Sequence, residues 1–300
     1  MALRTVQKKI ERQYFNWKIE LKPEQNILFF GDPRGGTTWM GETLSQLFDL
    51  PLLWEPMLAR KDSRFSKFNF AARPYLPEDL NEQAIKKAFS DLFDGKNIDH
   101  WEIQHTTPKK LAKRKAALIK FTRGNMLLPY LTANFHFEKK PIYMLRNPFA
   151  VVASQLKHFG WQNMHPRFQI PRPPYNQLHQ PHHKFLKTLN TKHEVLLAHW
   201  VIANQYVLNH PRNNIDWISI NYEETLKNPQ DILQHVFKRW CISEIDFSQV
   251  NFSKKSRTSL TKKEVTIDEQ LSNWKKSFTS KEINQMENVL NYFNFRYADD

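Results

Sequence analysis

Residues Gly31 to Leu44 read GDPRGGTTWMGETL and follow directly on the apolar run NILFF at 26 to 30. Three of the chain's seven glycines, Gly31, Gly35 and Gly36, fall within these first six positions. An apolar run of β type, a glycine-rich turn and a helical pattern opening on Thr37 and Thr38 make a phosphate cradle. Unpaired N–H groups at the helix start and two hydroxyls converge there on one anion. The same letters also fit a plain tight turn between strand and helix, so a second signal has to decide.

The rest of the chain supplies the frame. The runs NILFF (26 to 30), AALIKF (116 to 121), PIYMLR (141 to 146) and IDWISIN (215 to 221) are short and apolar, and helical patterns separate them. This order predicts an α/β fold: a P-loop-like parallel sheet flanked by helices on both faces. Helices are expected at 37 to 48, 81 to 93, 148 to 159, 188 to 208, 229 to 240 and 280 to 293. The proline- and histidine-rich stretch 165 to 183 argues for a long surface loop, of the kind that serves as a lid or an acceptor wall. No internal repeat or composition shift divides the chain, so residues 1 to 300 are expected to form a single domain.

Composition narrows the function classes. With 40% hydrophobic and 13% aromatic residues the chain can bury a substantial core. Forty-four basic against thirty acidic side chains leave a net charge of +14, which attracts anionic nucleotides and polyanions. No zinc-finger spacing or RNP-type aromatic motif points to nucleic acid. The single cysteine, Cys241, excludes an intrachain disulfide, and no apolar stretch of about 18 residues could span a bilayer. The basic N-terminal 21 residues lack the apolar run of a secretory signal and fit a packing helix. These features together predict a cytoplasmic protein. The HQPHH cluster at 179 to 183 lacks zinc-protease spacing and reads as loop polarity, so no metal site is expected.

The loop departs from the nucleoside-triphosphatase form GxxxxGK[ST]. Gly31 to Gly36 has its spacing, but Thr37 stands where the lysine would follow, and the cation is Arg34, inside the loop. The second signal is LRNPFAVVASQLKH at 145 to 158, after the run PIYM, with Pro148 suited to the first turn of a helix. Taken together, PRGGTTW and RNPFAVVAS resemble the 5′-phosphosulfate loop and the 3′-phosphate motif of sulfotransferases that use 3′-phosphoadenosine 5′-phosphosulfate (PAPS). INYEETLKNP at 220 to 229 and LSNWKKSFTSKEI at 271 to 283 resemble later segments of that family, and the likeness runs from about residue 26 to 293.

The resemblance implies a donor site. Arg34, Gly35, Gly36, Thr37 and Thr38 would hold the 5′-phosphosulfate, with Trp39 and Tyr222 beside the adenine. Arg146 and Ser154 would hold the 3′-phosphate, an arginine fork pairing with phosphate oxygens bidentately. Helix rise from Pro148 to Ser154 is about 9 Å, which puts that phosphate along the helix flank. Arg257, in a basic segment that only approximates the family's, is a further 3′-phosphate candidate. No metal is required, because loop amides and Arg34 supply the positive charge.

The resemblance also implies chemistry. Sulfuryl transfer needs in-line positioning and charge stabilisation, with Arg34 on the leaving phosphate. The small-molecule enzymes of the family place a histidine base where this chain has Thr122, two residues after Lys120. Another branch, acting on carbohydrates and protein tyrosine, uses a glutamate soon after the loop's helix, and LPLLWEPML at 50 to 58 offers Glu55. Glutamate is ionised at neutral pH and can take a proton from an attacking hydroxyl. Lys120 would meet the transferring group. Read as residues alone, Glu55 also fits a solvated loop carboxylate, Lys120 a surface lysine and Tyr222 a packing residue. The expected activity is sulfuryl transfer to a hydroxyl of a carbohydrate, glycolipid or tyrosine. Alternatives are a P-loop kinase using ATP and a non-catalytic protein that binds nucleotides or polyanions.

Overall fold

The computed structural model describes residues 19–58, 64–253 and 266–297. Five strands form one sheet in the order β2-β3-β1-β4-β5: Ile27–Gly31 (β1), Leu52–Trp54 (β2), Leu118–Phe121 (β3), Ile142–Leu145 (β4) and Ile218–Asn221 (β5). Every pairing is parallel, with Phe29 opposite Lys120, Trp54 opposite Lys120, Gly31 opposite Met144 and Leu145 opposite Asn221. The chain moves outward from β1 on one side, returns, and then builds the other side. β1 is therefore the point where strand order reverses, and crevices for ligands form at such points beyond the carboxyl ends of the strands.

The helices used below are Thr37–Leu47 (α1), Gln83–Phe93 (α2), Leu128–Asn134 (α3), Pro148–Leu156 (α4), Lys192–Leu208 (α5), Tyr222–Lys227 (α6), Pro229–Arg239 (α7) and Ser280–Tyr292 (α8). Both faces of the sheet are covered because alternate residues of each strand point to opposite sides. Leu28 and Phe30 pack with Ile119, Phe121 and the α2 residues Phe89 and Leu92 on one face. Ile27 and Phe29 pack with Met40 and Leu44 of α1 and Phe237 of α7 on the other. The Phe30 and Phe121 rings stack at 4.7 Å, and burying a phenylalanine of this kind stabilises the fold by about 1.5–3 kcal/mol. A third apolar cluster joins α4, α5 and α8 through Val151, Val201 and Val289.

Several boundaries differ from expectation. β2 is not among the expected strands although Leu52–Trp54 is apolar and buried, because a three-residue strand directly after Pro51 is too short to stand out as a run of its own. α5 starts at Lys192, later than the periodicity indicates, because Thr188 closes a separate helix, Leu189 is extended, and Thr191 with Glu194 forms a capping box. α4 ends at Leu156, and a 3₁₀ turn, Phe159–Trp161, follows it. The stretch 165 to 179 holds no helix or strand, as its prolines require, but it is not merely surface: Phe168, Asn176 and His179 are buried. Phe168 stacks on His199 of α5 at 4.1 Å. The expected N-terminal packing helix lies outside the described residues.

Candidate active site

Parallel strands deliver their carboxyl ends to one edge of the sheet, and that edge gathers groups that are far apart in the chain. Arg34 follows β1, Glu55 follows β2, Arg123 follows β3 and Arg146 follows β4. All four line one cavity of about 1270 Å³, together with Ser154 on α4 and Tyr222 at the start of α6.

The loop after β1 is held open by its backbone. Gly35 donates its N–H to the Asp32 carbonyl at 2.8 Å, while Arg34 and Gly36 adopt φ of 70° and 86°. At Gly36 the requirement for glycine is twofold: its φ is left-handed, and a Cβ there would stand 2.2 Å from the Tyr222 ring. α1 then starts at Thr37, where the first N–H groups have no partner within the helix, and Thr37 and Thr38 line the cavity. Thr37 and Thr38 are themselves buried.

Two arginines stand over this loop. Arg34 donates from Nε to Ser154 Oγ at 3.1 Å. Burial first, and Arg146 second, pull its guanidinium below the ordinary arginine range, with Glu55 opposing them. Arg146 donates from Nη1 to the Arg34 carbonyl at 2.8 Å and lies 4.4 Å from the centre of the Tyr222 ring. Its Nε is buried and has no hydrogen-bond partner among the described residues. Buried donors are nearly always satisfied, so this nitrogen is an unmet demand for an acceptor. Tyr222 is buried and its hydroxyl accepts from Gln270 Nε2 at 2.8 Å. Trp39 lines the same cavity and donates from Nε1 to the Phe252 carbonyl at 3.2 Å.

Glu55 adopts φ of 41°, again left-handed, which is costly for a residue with a side chain. Its backbone N–H donates to the Lys120 carbonyl at 3.0 Å, turning the carboxylate back over the end of β3. There Oε1 accepts from Lys120 Nζ at 3.1 Å and Oε2 from Arg123 Nη1 at 3.5 Å. Lys120 is fully buried: Nζ also donates to Thr38 Oγ1 at 3.2 Å and lies 3.2 Å from the centre of the Trp54 ring. Burial pushes the ammonium down to about 8, Glu55 acting against that shift. Lys120 thus ties the acidic residue after β2 to the helix that follows the glycine-rich loop.

Of the residues expected at the site, Arg34, Gly36, Thr37, Thr38, Trp39, Glu55, Arg146, Ser154 and Tyr222 all line the cavity. Gly35 and Lys120 lie behind its wall, and Arg257 lies outside the described residues. Sequence reasoning did not find His158, Trp54, Trp101, His105 or Trp161, which also line it. His158 caps the 3₁₀ turn that follows the helix carrying Ser154, accepting the Gly160 N–H on Nδ1 at 3.1 Å. Burial, then Arg34 and Arg123, lower its imidazole below the usual range. Its place four residues after Ser154 was the available signal. Trp101 and His105 sit in a connection with no motif. Among the described residues, none from 165 to 183 lines the cavity, so that stretch does not form the acceptor wall expected of it.

Among the described residues no cluster of His, Cys, Asp and Glu could hold a metal ion, and no helix is long and apolar enough to cross a membrane.

No family model matches the chain, and no curated protein matches it. Solved structures with similarity to it include the sulfotransferase domain from the curacin biosynthetic pathway, at 17% identity and a TM-score of 0.46, covering 91% of this chain and 99% of that one. The sulfotransferase domain of the Synechococcus PCC 7002 olefin synthase is also 17% identical, with a TM-score of 0.47 over 91% of this chain and 97% of that one. Mouse sulfotransferase SULT7A1, in complex with PAP, is 14% identical, with a TM-score of 0.43 over 97% and 92%. At these scores the likeness assigns neither activity nor site residues to this chain.

Proposed function

We propose that this protein transfers a sulfuryl group from PAPS to an acceptor hydroxyl and releases adenosine 3′,5′-bisphosphate. The observation that carries the reading is the meeting of two anion receivers in one cavity: the loop with Arg34, and the α4 flank with Arg146 and Ser154. A nucleoside triphosphate needs only the first receiver. A nucleotide bearing phosphate at both 5′ and 3′ positions needs both, with an aromatic seat that Trp39 and Tyr222 would supply. The unpartnered Arg146 Nε fits an added phosphate oxygen.

In this reading Gly35, Gly36, Thr37 and Thr38 orient the 5′ group, and Arg34 leaves Ser154 to neutralise the charge that builds on the departing phosphate. Glu55 takes the proton of the attacking hydroxyl. The pairing with Lys120 and Arg123 holds its carboxylate in place. Once Glu55 is protonated, Arg123 on the cavity wall is free to follow the charge onto the transferring group, while the buried Lys120 adds its charge from behind the wall. Loop amides and these cations meet the electrostatic demand with no metal. Arg257 is proposed as a further 3′-phosphate ligand. Trp161 on the cavity wall favours a ring-bearing acceptor, a carbohydrate, glycolipid or tyrosine. The exposed free Cys241 accords with a reducing compartment such as the cytoplasm.

The test is calorimetric titration with adenosine 3′,5′-bisphosphate in EDTA, with 5′-AMP and ATP as competitors. The expected result is tight binding that needs the 3′-phosphate and weakens in Arg146→Ala by about 10- to 100-fold, the scale of a charge-assisted hydrogen bond. Equal affinity for 5′-AMP, or preference for ATP, would overturn the reading.

A further inference from the structure

Behind the anion loop lies a buried polar cluster that none of these roles uses. Asp32, the first residue after β1, is 2% exposed. Its carboxylate pairs with Arg73, and Oδ2 accepts from Asn204 Nδ2 at 2.8 Å and from Asn125 Nδ2 at 3.2 Å. Asn204, on α5, in turn accepts from the Tyr143 hydroxyl of β4. Three separate parts of the chain therefore converge on one carboxylate, with Tyr143 joined through Asn204, and the Asp32 carbonyl anchors Gly35 at the same time.

A negative charge is electrostatically wrong at this place. Asp32 sits two residues before Arg34, next to amides that must attract an anion, in surroundings where charges are poorly screened. We propose that Asp32 and Arg73 are positioning residues of the loop: Asp32 fixes its backbone, and Arg73 cancels the Asp32 charge so that the loop still attracts an anion. Neither residue lines the cavity, so both act through the loop. The field of Arg73 does reach the site: after burial, and against Glu55, it contributes to lowering Arg123. The inference rests on the reading of this loop as the donor's anion receiver.

The test titrates the full-length protein with two probes, adenosine 3′,5′-bisphosphate and inorganic pyrophosphate, the second reading the loop alone. Arg73→Met leaves a buried carboxylate unpaired and is expected to weaken both probes about tenfold or more, within the range of coupled buried charges. The double variant Asp32→Asn/Arg73→Met is expected to recover to within about threefold of the parent, since coupled neighbours are not additive. Asp32→Asn alone keeps the main-chain anchor to Gly35 and leaves Arg73 as surplus positive charge, so anion affinity holds or tightens. A double variant no better than Arg73→Met would overturn the proposal, and so would weaker anion binding in Asp32→Asn. The second criterion stands even if Arg73→Met does not fold. A parent protein that binds pyrophosphate without preferring the bisphosphate nucleotide overturns the donor reading and leaves the Asp32–Arg73 comparison intact. A parent that binds neither probe overturns both.

Discussion

Arg34 Nε lies 3.1 Å from Ser154 Oγ, although 120 positions separate the two in the chain. The contact joins the loop after β1 to the flank of α4, where the 5′ and 3′ receivers of the proposed donor meet. In the donor complex each would turn to its own phosphate, so their loss should read differently. Ser154→Ala is expected to weaken adenosine 3′,5′-bisphosphate by about 3- to 10-fold, the worth of one hydrogen bond, with kcat nearly unchanged. Arg34→Ala is expected to lower kcat by about 10²–10³ through lost stabilisation of the leaving group. Calorimetry and turnover of labelled PAPS measure the two effects. Equal losses in kcat for both variants would contradict the division of roles.

Glu55→Gln keeps the shape of the side chain and removes its ability to take a proton. Donor affinity should stay within about twofold, since Glu55 is assigned to the acceptor, while kcat drops by about 10²–10⁴. The comparison of binding and turnover in this variant also separates an enzyme from a protein that only binds nucleotide: the latter shows no turnover in the parent.

Lys120 links pH to both activity and stability. Its folded value near 8 lies below the ordinary 10.5. Between those values the folded protein binds fewer protons than the unfolded chain, so this group's contribution to stability rises with pH across that window. The burial penalty is fully present below about 8. Activity should go the other way, falling as pH climbs through about 8, because the neutral amine no longer braces Glu55. A pH profile of kcat checks the alkaline limb. Lys120→Arg, if it folds, should move that limb upward, because a guanidinium stays charged.

Gly36→Ala combines a left-handed φ with a Cβ driven into the Tyr222 ring. Strain of about 1–3 kcal/mol is expected for such a position. This predicts a lower Tm, by about 2–4 °C per kcal/mol. A loss of pyrophosphate affinity of about tenfold should accompany it, as the loop shifts off the start of α1. Thermal melts and calorimetry on the one variant test both, and an unchanged Tm would show that Tyr222 yields freely.

Short-range physics made much of this legible in the chain itself. The apolar runs at 26 to 30, 116 to 121, 141 to 146 and 215 to 221 announced four of the five strands, because buried parallel strands are continuous apolar segments. The glycine-rich turn before Thr37 and the proline after Arg146 marked two helix starts, because backbone sterics at those positions admit few residue types. What the chain could not disclose was decided by packing across long separations. β2 is visible only through its pairing with β3, and that pairing carries Glu55 over Lys120. His105 and Trp101 reach the cavity from a connection without any pattern. Nothing in the sequence singles out Asp32; only the fold closes Arg73, Asn125 and Asn204 around it. The sequence by itself determined the α/β frame and the glycine-rich loop between β1 and α1, since both follow from local backbone preference and apolar patterning. Tertiary structure alone decided which charges neutralise one another, because that depends on distance and burial between residues the chain holds far apart.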